Sequence, residues 1–182
     1  MIRLDNITKA FDGKTVLENF SIELPHTGFC AITGRSGIGK TTLLHIIAGL
    51  TEPDSGAVRT VPHISMVFQE DRLLPWATAL QNAAIASSEE KASALLTELG
   101  LEDSLHKKPR ELSGGMSRRV SIARALAADA DAYIMDEPLK GLDGETRSHV
   151  LNVIRKHTQN ALLIMVTHDQ ADGAGADVRI EL

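Results

Sequence analysis

A chain of 182 residues, 43% hydrophobic and 24% charged, has the composition of one ordinary globular domain, able to bury roughly 70% of the surface its unfolded form exposes. A formal net charge of −5 argues against a general nucleic-acid binder, and the single cysteine, Cys30, leaves neither a disulfide framework nor a cysteine metal site. In chain order, IRLDNI and FSIEL alternate apolar and polar residues, as an antiparallel sheet with one wet face does. FCAIT (29–33) is a continuous apolar strand, with Cys30 a buried hydrophobe within it, and a helix follows from Lys40 to Ala48, stopped by Gly49. ISMVF (64–68) is the next buried strand. From about Asp71 to Ala128 the strand signal gives way to helix-favouring sequence such as ALQNAAIASSEEKASALLTELG, with a long helix from about Ser113 to Ala128. AYIM (132–135), a helix from Glu145 to His157 and ALLIMV (161–166) complete the alternation.

That order predicts an α/β fold with a mainly parallel sheet, an N-terminal antiparallel β subdomain and a helical insertion. It predicts a single domain over 1–182, with 1–70 and 129–182 as the α/β core and about 71–128 as the helical subdomain. MIRLDNITKAFDG lacks the apolar region of a signal peptide, and no apolar run approaches the ~18 residues that span a bilayer. The expectation is a cytoplasmic protein that reaches a membrane only through a partner.

Each buried strand runs into polar residues: FCAIT into a glycine loop, ISMVF into Gln69, AYIM into Asp136 and Glu137, and ALLIMV into Thr167 and His168. In a parallel sheet these are carboxyl ends, so four segments deliver polar groups to the edge where open α/β sheets bind ligands. The loop GRSGIGKTT (Gly34, Arg35, Ser36, Gly37, Ile38, Gly39, Lys40, Thr41, Thr42) fits G-x-x-x-x-G-K-[ST]. Its glycines let backbone N–H groups turn inward around a phosphate, and the next helix adds the positive end of its dipole. Lys40 supplies charge to the outer phosphates, and the Thr41 hydroxyl suits Mg2+. Asp136 suits the same metal through its oxygens, while the adjacent Glu137 points elsewhere to polarise an attacking water. In LSGGMSRR, Ser113 N-caps a long helix and Gly114 and Gly115 expose N–H groups, which reads as a second anion site or as an ordinary capped helix start. The seven histidines show no metal-ligand spacing such as HExxH.

Together these residues resemble the nucleotide-binding subunit of an ATP-binding cassette (ABC) transporter. GRSGIGKTT resembles the Walker A loop, YIMDEP the Walker B strand, LSGGM the signature, Gln69 the Q-loop glutamine, Leu142-Asp143 the D-loop and His168 the switch histidine. The resemblance implies ATP and Mg2+ as cofactors and a second nucleotide-binding subunit paired head to tail. Ser113, Gly114 and Gly115 would then meet the γ-phosphate held by the partner's glycine loop. It implies Glu137 as general base, Asp136, Gln69 and Thr41 at magnesium, His168 steadying the γ-phosphate, Lys40 offsetting developing charge, and Phe11 stacking on adenine; a surface or core phenylalanine is the alternative there. VFQEDRLLPW resembles the Q-loop region of importers for nitrate, sulfonates and taurine, so Trp76 and Leu74 either line the docking groove of a transmembrane permease subunit or pack within the helical subdomain. A permease, an extracytoplasmic solute-binding protein and a place on the inner face of the cell membrane follow from the same resemblance. A soluble ABC ATPase of translation or DNA maintenance is the competing class. Two departures stand out: PLKGLD carries Lys140 where the family has smaller residues, with consequences expected across the dimer, and the sequence given ends soon after His168, from which weak dimerisation without ATP is expected.

Overall fold

The computed structural model describes residues 1–169 and 171–182. In chain order the elements are β1 (Ile2–Phe11), β2 (Lys14–Leu24), β3 (Gly28–Thr33), α1 (Lys40–Ile47), β4 (Ser55–Arg59), β5 (Ile64–Val67), α2 (Ala79–Ala83), α3 (Glu89–Glu98), α4 (Gly114–Ala127), β6 (Ala132–Asp136), α5 (Gly144–Thr158), β7 (Leu162–Val166) and β8 (Val178–Glu181). Alternation in β1 buries Ile2 and Leu4 and leaves Arg3 exposed, and a register shift between Leu4 and Ile7, with Asn6 at φ 51°, brings Ile7 inside as well. The β1–β2 hairpin turns at Asp12-Gly13, both at positive φ (50° and 78°), as a two-residue turn matched to strand twist requires. With β4 on the other side, these strands form an antiparallel sheet in the order β2-β1-β4.

The second sheet is parallel in all its pairings, in the order β5-β6-β7-β3-β8. Its central strands β6 and β7 are buried along their whole length, as their unbroken apolar sequence predicts. β5 departs from the expectation of a strand covered on both faces. It lies at the sheet edge, so Ile64, Ser65 and Met66 are half-buried and only Val67 is fully enclosed. One core lies between this sheet and the helices α3, α4 and α5; a second lies between the sheet, α1 and the antiparallel sheet. The two cores hold the parallel sheet as the middle layer and leave its carboxyl edge open.

Regular helix in the 71–128 segment begins where the helix-favouring sequence ALQNAA does. Residues 71–78 are irregular, and regular helix starts at Ala79, where Thr78 and Gln81 form a reciprocal cap. Fully buried Asn82 fixes that loop: its Oδ1 accepts from Leu74 N–H at 2.7 Å, and its Nδ2 donates to the carbonyls of Leu74, Ala77 and Thr78. Ser113 caps α4 by accepting from Met116 N–H at 3.3 Å, and Asp143 caps α5 by accepting from Thr146 N–H at 3.0 Å. β4 and β8 had no sequence prediction, since SGAVR and VRIE are short and mix polar with apolar residues at sheet edges.

Candidate phosphate site at the sheet edge

The loop after β3 closes over its own lysine. Lys40, only 6% exposed, donates from Nζ to the carbonyls of Gly34 and Arg35 at 2.8 Å each, which holds its ammonium inside the loop rather than in solvent. Two glycines are dictated by close approach. Gly34 has φ +143°, and a Cβ there would meet the Leu182 carbonyl oxygen at 2.7 Å. Gly39 has φ +119°, and its Cβ would lie 2.8 Å from Val16 Cγ1 and 3.0 Å from the Val16 carbonyl, so the antiparallel sheet presses directly on the loop. α1 starts at Lys40 with Gly39 as its cap and no side-chain capping bond, leaving the positive end of the helix facing the loop.

The strand ends then converge as the parallel assignment predicts. Thr41 Oγ1 donates to Asp136 Oδ2 at 2.7 Å, joining the first turn of α1 to the end of β6, with Asp136 2% exposed. Glu137 follows with φ +49°, its N–H donating to the Val166 carbonyl at 3.1 Å. Its carboxylate is bracketed: Oε1 lies 2.7 Å from His168 Nε2 and Oε2 lies 2.9 Å from Lys140 Nζ. Burial acts to raise the Glu137 pKa, but the hydrogen bond and charge of Lys140, joined by those of His168, outweigh it and hold the group below its ordinary 4.5. It is therefore ionised at neutral pH.

Two adjoining clefts of about 410 and 640 Å³ share Ser36, Gln69, Glu137 and His168. The smaller reaches Gly37, Gly39, Lys40, Thr41, Thr42 and Asp136; the larger extends to Lys140, Arg147 and Asp172. Oxygen donors from Thr41 and Asp136 beside a turn of backbone N–H groups fit a hard cation and an anion such as phosphate. Sequence reasoning thus placed these strand-end residues correctly at one edge. Glu137 differs from the expectation that it would point away from Asp136, since both face the smaller cleft. Seven expected residues, Phe11, Gly34, Arg35, Ile38, Ser113, Gly114 and Gly115, line neither cleft. Ser113, Gly114 and Gly115 sit at the start of α4, where a Gly115 Cβ would touch Leu142 Cδ2 at 3.2 Å, so the LSGG turn packs on the Leu142-Asp143 segment of its own chain. Phe11 lies at the hairpin tip, 47% exposed, with Lys9 Nζ 5.3 Å from its ring centre. Arg35 and Ile38 are exposed on the outer side of the loop. Trp76 is 70% exposed, which removes the reading that it packs within the helical subdomain; Leu74 is half-buried.

The sequence reading missed two charged clusters. Arg118 on α4 donates from Nη1 to the Phe68 carbonyl at 2.7 Å and from Nη2 to the Gln69 carbonyl, with Nε 3.2 Å from Asp71 Oδ1. Arg124 donates to the carbonyls of Asp71 and Arg72 at 2.8 Å each. The segment around Gln69 is thereby fastened to the helix that begins with LSGG. The second cluster ties α5 to the segment after β7: Arg147 grips Asp172 with both Nε and Nη2, and Thr167 Oγ1 also donates to Asp172. A signal existed for Arg118, which falls in register with Ser121, Ile122 and Ala125 on the buried face of α4. No local pattern joined Arg147 to Asp172, which are brought together by the fold.

The ABC transporter family profile matches residues 17–140. An aliphatic sulfonates import ATP-binding protein, SsuB 1 of Burkholderia lata, is 39% identical over 194 residues, covering 100% of this chain and 60% of its own length. The SsuB of Corynebacterium glutamicum is 37% identical, covering 91% of this chain and 73% of its own. The chain spans about 60% of the length of several such curated relatives. Among solved structures, a dimeric ATP-binding cassette in a post-hydrolysis state bound to ADP and Pi aligns with a TM-score of 0.93 at 30% identity, covering 100% of this chain and 94% of the other. A bacterial Atm1-family exporter with ATP bound, 22% identical with a TM-score of 0.92, shares the fold. With the five-stranded parallel sheet, the loop after β3 and the whole-chain similarity in agreement, this protein belongs to the ABC transporter family.

Proposed function

We propose that this chain is the ATP-hydrolysing subunit of a membrane importer, with residues 1–70 and 129–182 as nucleotide-binding core and 71–128 as the helical subdomain. The observation that carries the reading is the junction of Thr41, Asp136, Glu137 and His168 at one sheet edge beside the Lys40 loop. Backbone N–H groups of Ser36 to Thr42 and Lys40 would hold the ATP phosphates, and Thr41, Asp136 and Gln69 would hold Mg2+. When bound, the metal would supply positive charge to the phosphates. Glu137, ionised and nearly enclosed, takes a proton from the attacking water; His168 steadies the terminal phosphate and keeps the water aligned. Phe11 would stack on adenine from the hairpin tip.

Ser113, Gly114 and Gly115 lie outside the clefts of their own chain, and this supports a head-to-tail dimer in which they face the partner's nucleotide. The dimeric cassette that shares this fold points the same way. Exposed Trp76 supports docking of a transmembrane permease on the helical side, with the chain peripheral on the inner face of the cell membrane. No helix among the described residues is long and apolar enough to cross a bilayer. The relatives carry import names, which favours transport over a soluble ABC ATPase. The cargo those relatives are named for, aliphatic sulfonates, is the solute class we propose, delivered by an extracytoplasmic binding protein. Glu137→Gln tests the core of this reading. It is expected to retain ATP and accumulate as dimer while turnover falls on the order of 10²-fold to 10⁴-fold; near-normal hydrolysis would remove Glu137 from the role. Co-purification of a polytopic membrane protein from detergent extracts tests the transport assignment, and recovery with ribosomes or DNA instead would overturn it.

A further inference from the structure

We propose that Lys140 is a positioning residue for the hydrolytic step: its ammonium holds Glu137 in a paired arrangement that opens before the carboxylate can receive a proton from water. The inference rests on the reading of Glu137 as general base. Each carboxylate oxygen offers two lone pairs, and on each of them one already faces a nitrogen, His168 Nε2 at 2.7 Å and Lys140 Nζ at 2.9 Å, so an ammonium competes with the water proton for Oε2. The His168 contact opens when that side chain turns to the terminal phosphate it steadies in the proposed function. Among the described residues the salt bridge of Lys140 is to Glu137, and the ammonium stays on Oε2 until it swings away.

The backbone builds this contact. Lys140 N–H donates to the Glu137 carbonyl at 3.2 Å, closing a tight turn through Pro138 and Leu139. Leu139 is 1% exposed and anchors the middle of that turn in the core. The turn brings the lysine stem back over the glutamate three residues earlier. The two side chains differ in freedom: Glu137 is 13% exposed and Lys140 60%. The pair therefore opens by movement of the lysine into water, with the glutamate staying at the site. An ion pair with one such solvated partner holds by up to about 1 kcal/mol, a restraint of about fivefold at most. Lys140 thus acts as a small intrinsic brake on hydrolysis, and its position in the larger cleft beside Ser36 and Gln69 leaves it accessible to whatever closes on that cleft.

The test uses Lys140→Met, which keeps the stem and removes the charge, and Lys140→Arg, which keeps the charge, each checked for an unchanged thermal melt. Steady-state ATPase assays are expected to give Lys140→Met a kcat about two- to fivefold higher with KM unchanged, and Lys140→Arg the parent rate. In the Glu137→Gln background, Lys140→Met is expected to leave the ATP-held dimer fraction, read by size-exclusion chromatography, the same. A kcat that stays level or falls in Lys140→Met overturns the proposal. Loss of the dimer in the Glu137→Gln background also overturns it, since the lysine would then act across the interface. Near-normal hydrolysis by Glu137→Gln alone signals a different failure, that of the base assignment itself.

Discussion

Arg118→Met puts a magnitude on the fastening of the Gln69 segment. The guanidinium is enclosed at 8% side-chain exposure and serves two backbone carbonyls, those of Phe68 and Gln69. Hydrogen bonds from a charged donor contribute about 1.5–3 kcal/mol each, and residues 68–72 lie beyond the end of β5 with no strand partner to replace them. Asp71 Oδ1 is buried and makes no hydrogen bond, though Arg118 Nε lies 3.2 Å away; burial pushes the Asp71 pKa up, and the charges of Arg118, and after it Arg124, offset that burial only in part. Removing one member of such a pair costs about 3–5 kcal/mol, and 1 kcal/mol shifts the melting point of a chain this size by about 2–4 °C. The expected loss in Tm is therefore about 6–20 °C, read by far-ultraviolet circular dichroism. Faster hydrogen exchange should be confined to the amides of residues 68–72 and the start of α4. Arg118→Met combined with Asp71→Leu should recover part of the loss, because the stranded carboxylate is gone. A Tm within about 3 °C of the parent, with unchanged exchange at 68–72, would refute the reasoning.

Two further outcomes follow from buried and paired groups. Cys30 is fully buried and burial pushes its thiol pKa up to about 12, so thiol reagents at about pH 8 should leave the folded protein unlabelled and label it fully in denaturant. Because the folded state keeps this proton while the unfolded thiol loses it near 9.0, the residue's contribution to stability should decline as pH rises above that value, measurable by urea titration. Glu98 accepts from Lys156 at 2.7 Å and His157 at 2.8 Å, linking α3 to α5, and these bonds hold its carboxyl below the ordinary 4.5. Its stabilisation is present above the unfolded pKa and lost as pH falls through the folded one. Glu98→Gln should thus cost up to about 1 kcal/mol at neutral pH and nothing near pH 2.

Much of this was legible in the sequence because two periodicities and one loop carry it. The unbroken apolar runs of β3, β6 and β7 announced a parallel sheet, and once it was parallel, Gln69, Asp136 and His168 had to meet at its carboxyl edge. Residues 71–78, the leading part of the expected helical subdomain, form an irregular loop whose conformation no periodicity describes. The loop is held by the Asn82 amide and by arginines from α4, contacts between residues far apart in the chain that no window of sequence contains. The Arg147–Asp172 grip was illegible for the same reason: its members lie on separate elements, and only packing of α5 beside the segment after β7 gives them a common position.

The neighbouring carboxylates show most directly why sequence and site part company. Successive side chains of an extended strand point to opposite faces, so Asp136 and Glu137 in one strand could not both face a single cleft. The fold ends β6 at Asp136, aims that carboxylate at Thr41, and gives Glu137 φ +49°, a conformation that costs a residue with a Cβ about 1–3 kcal/mol. The Glu137 N–H still bonds to the end of β7, so the backbone follows the sheet while the side chain departs from its alternation. The buried neighbours Asp136 and Leu139 on either side fix the turn and sustain that cost. What the strain achieves is chemical: one acidic group beside the Lys40 loop and a second within reach of His168, on adjacent residues and in the same cleft, which an unstrained strand end cannot provide.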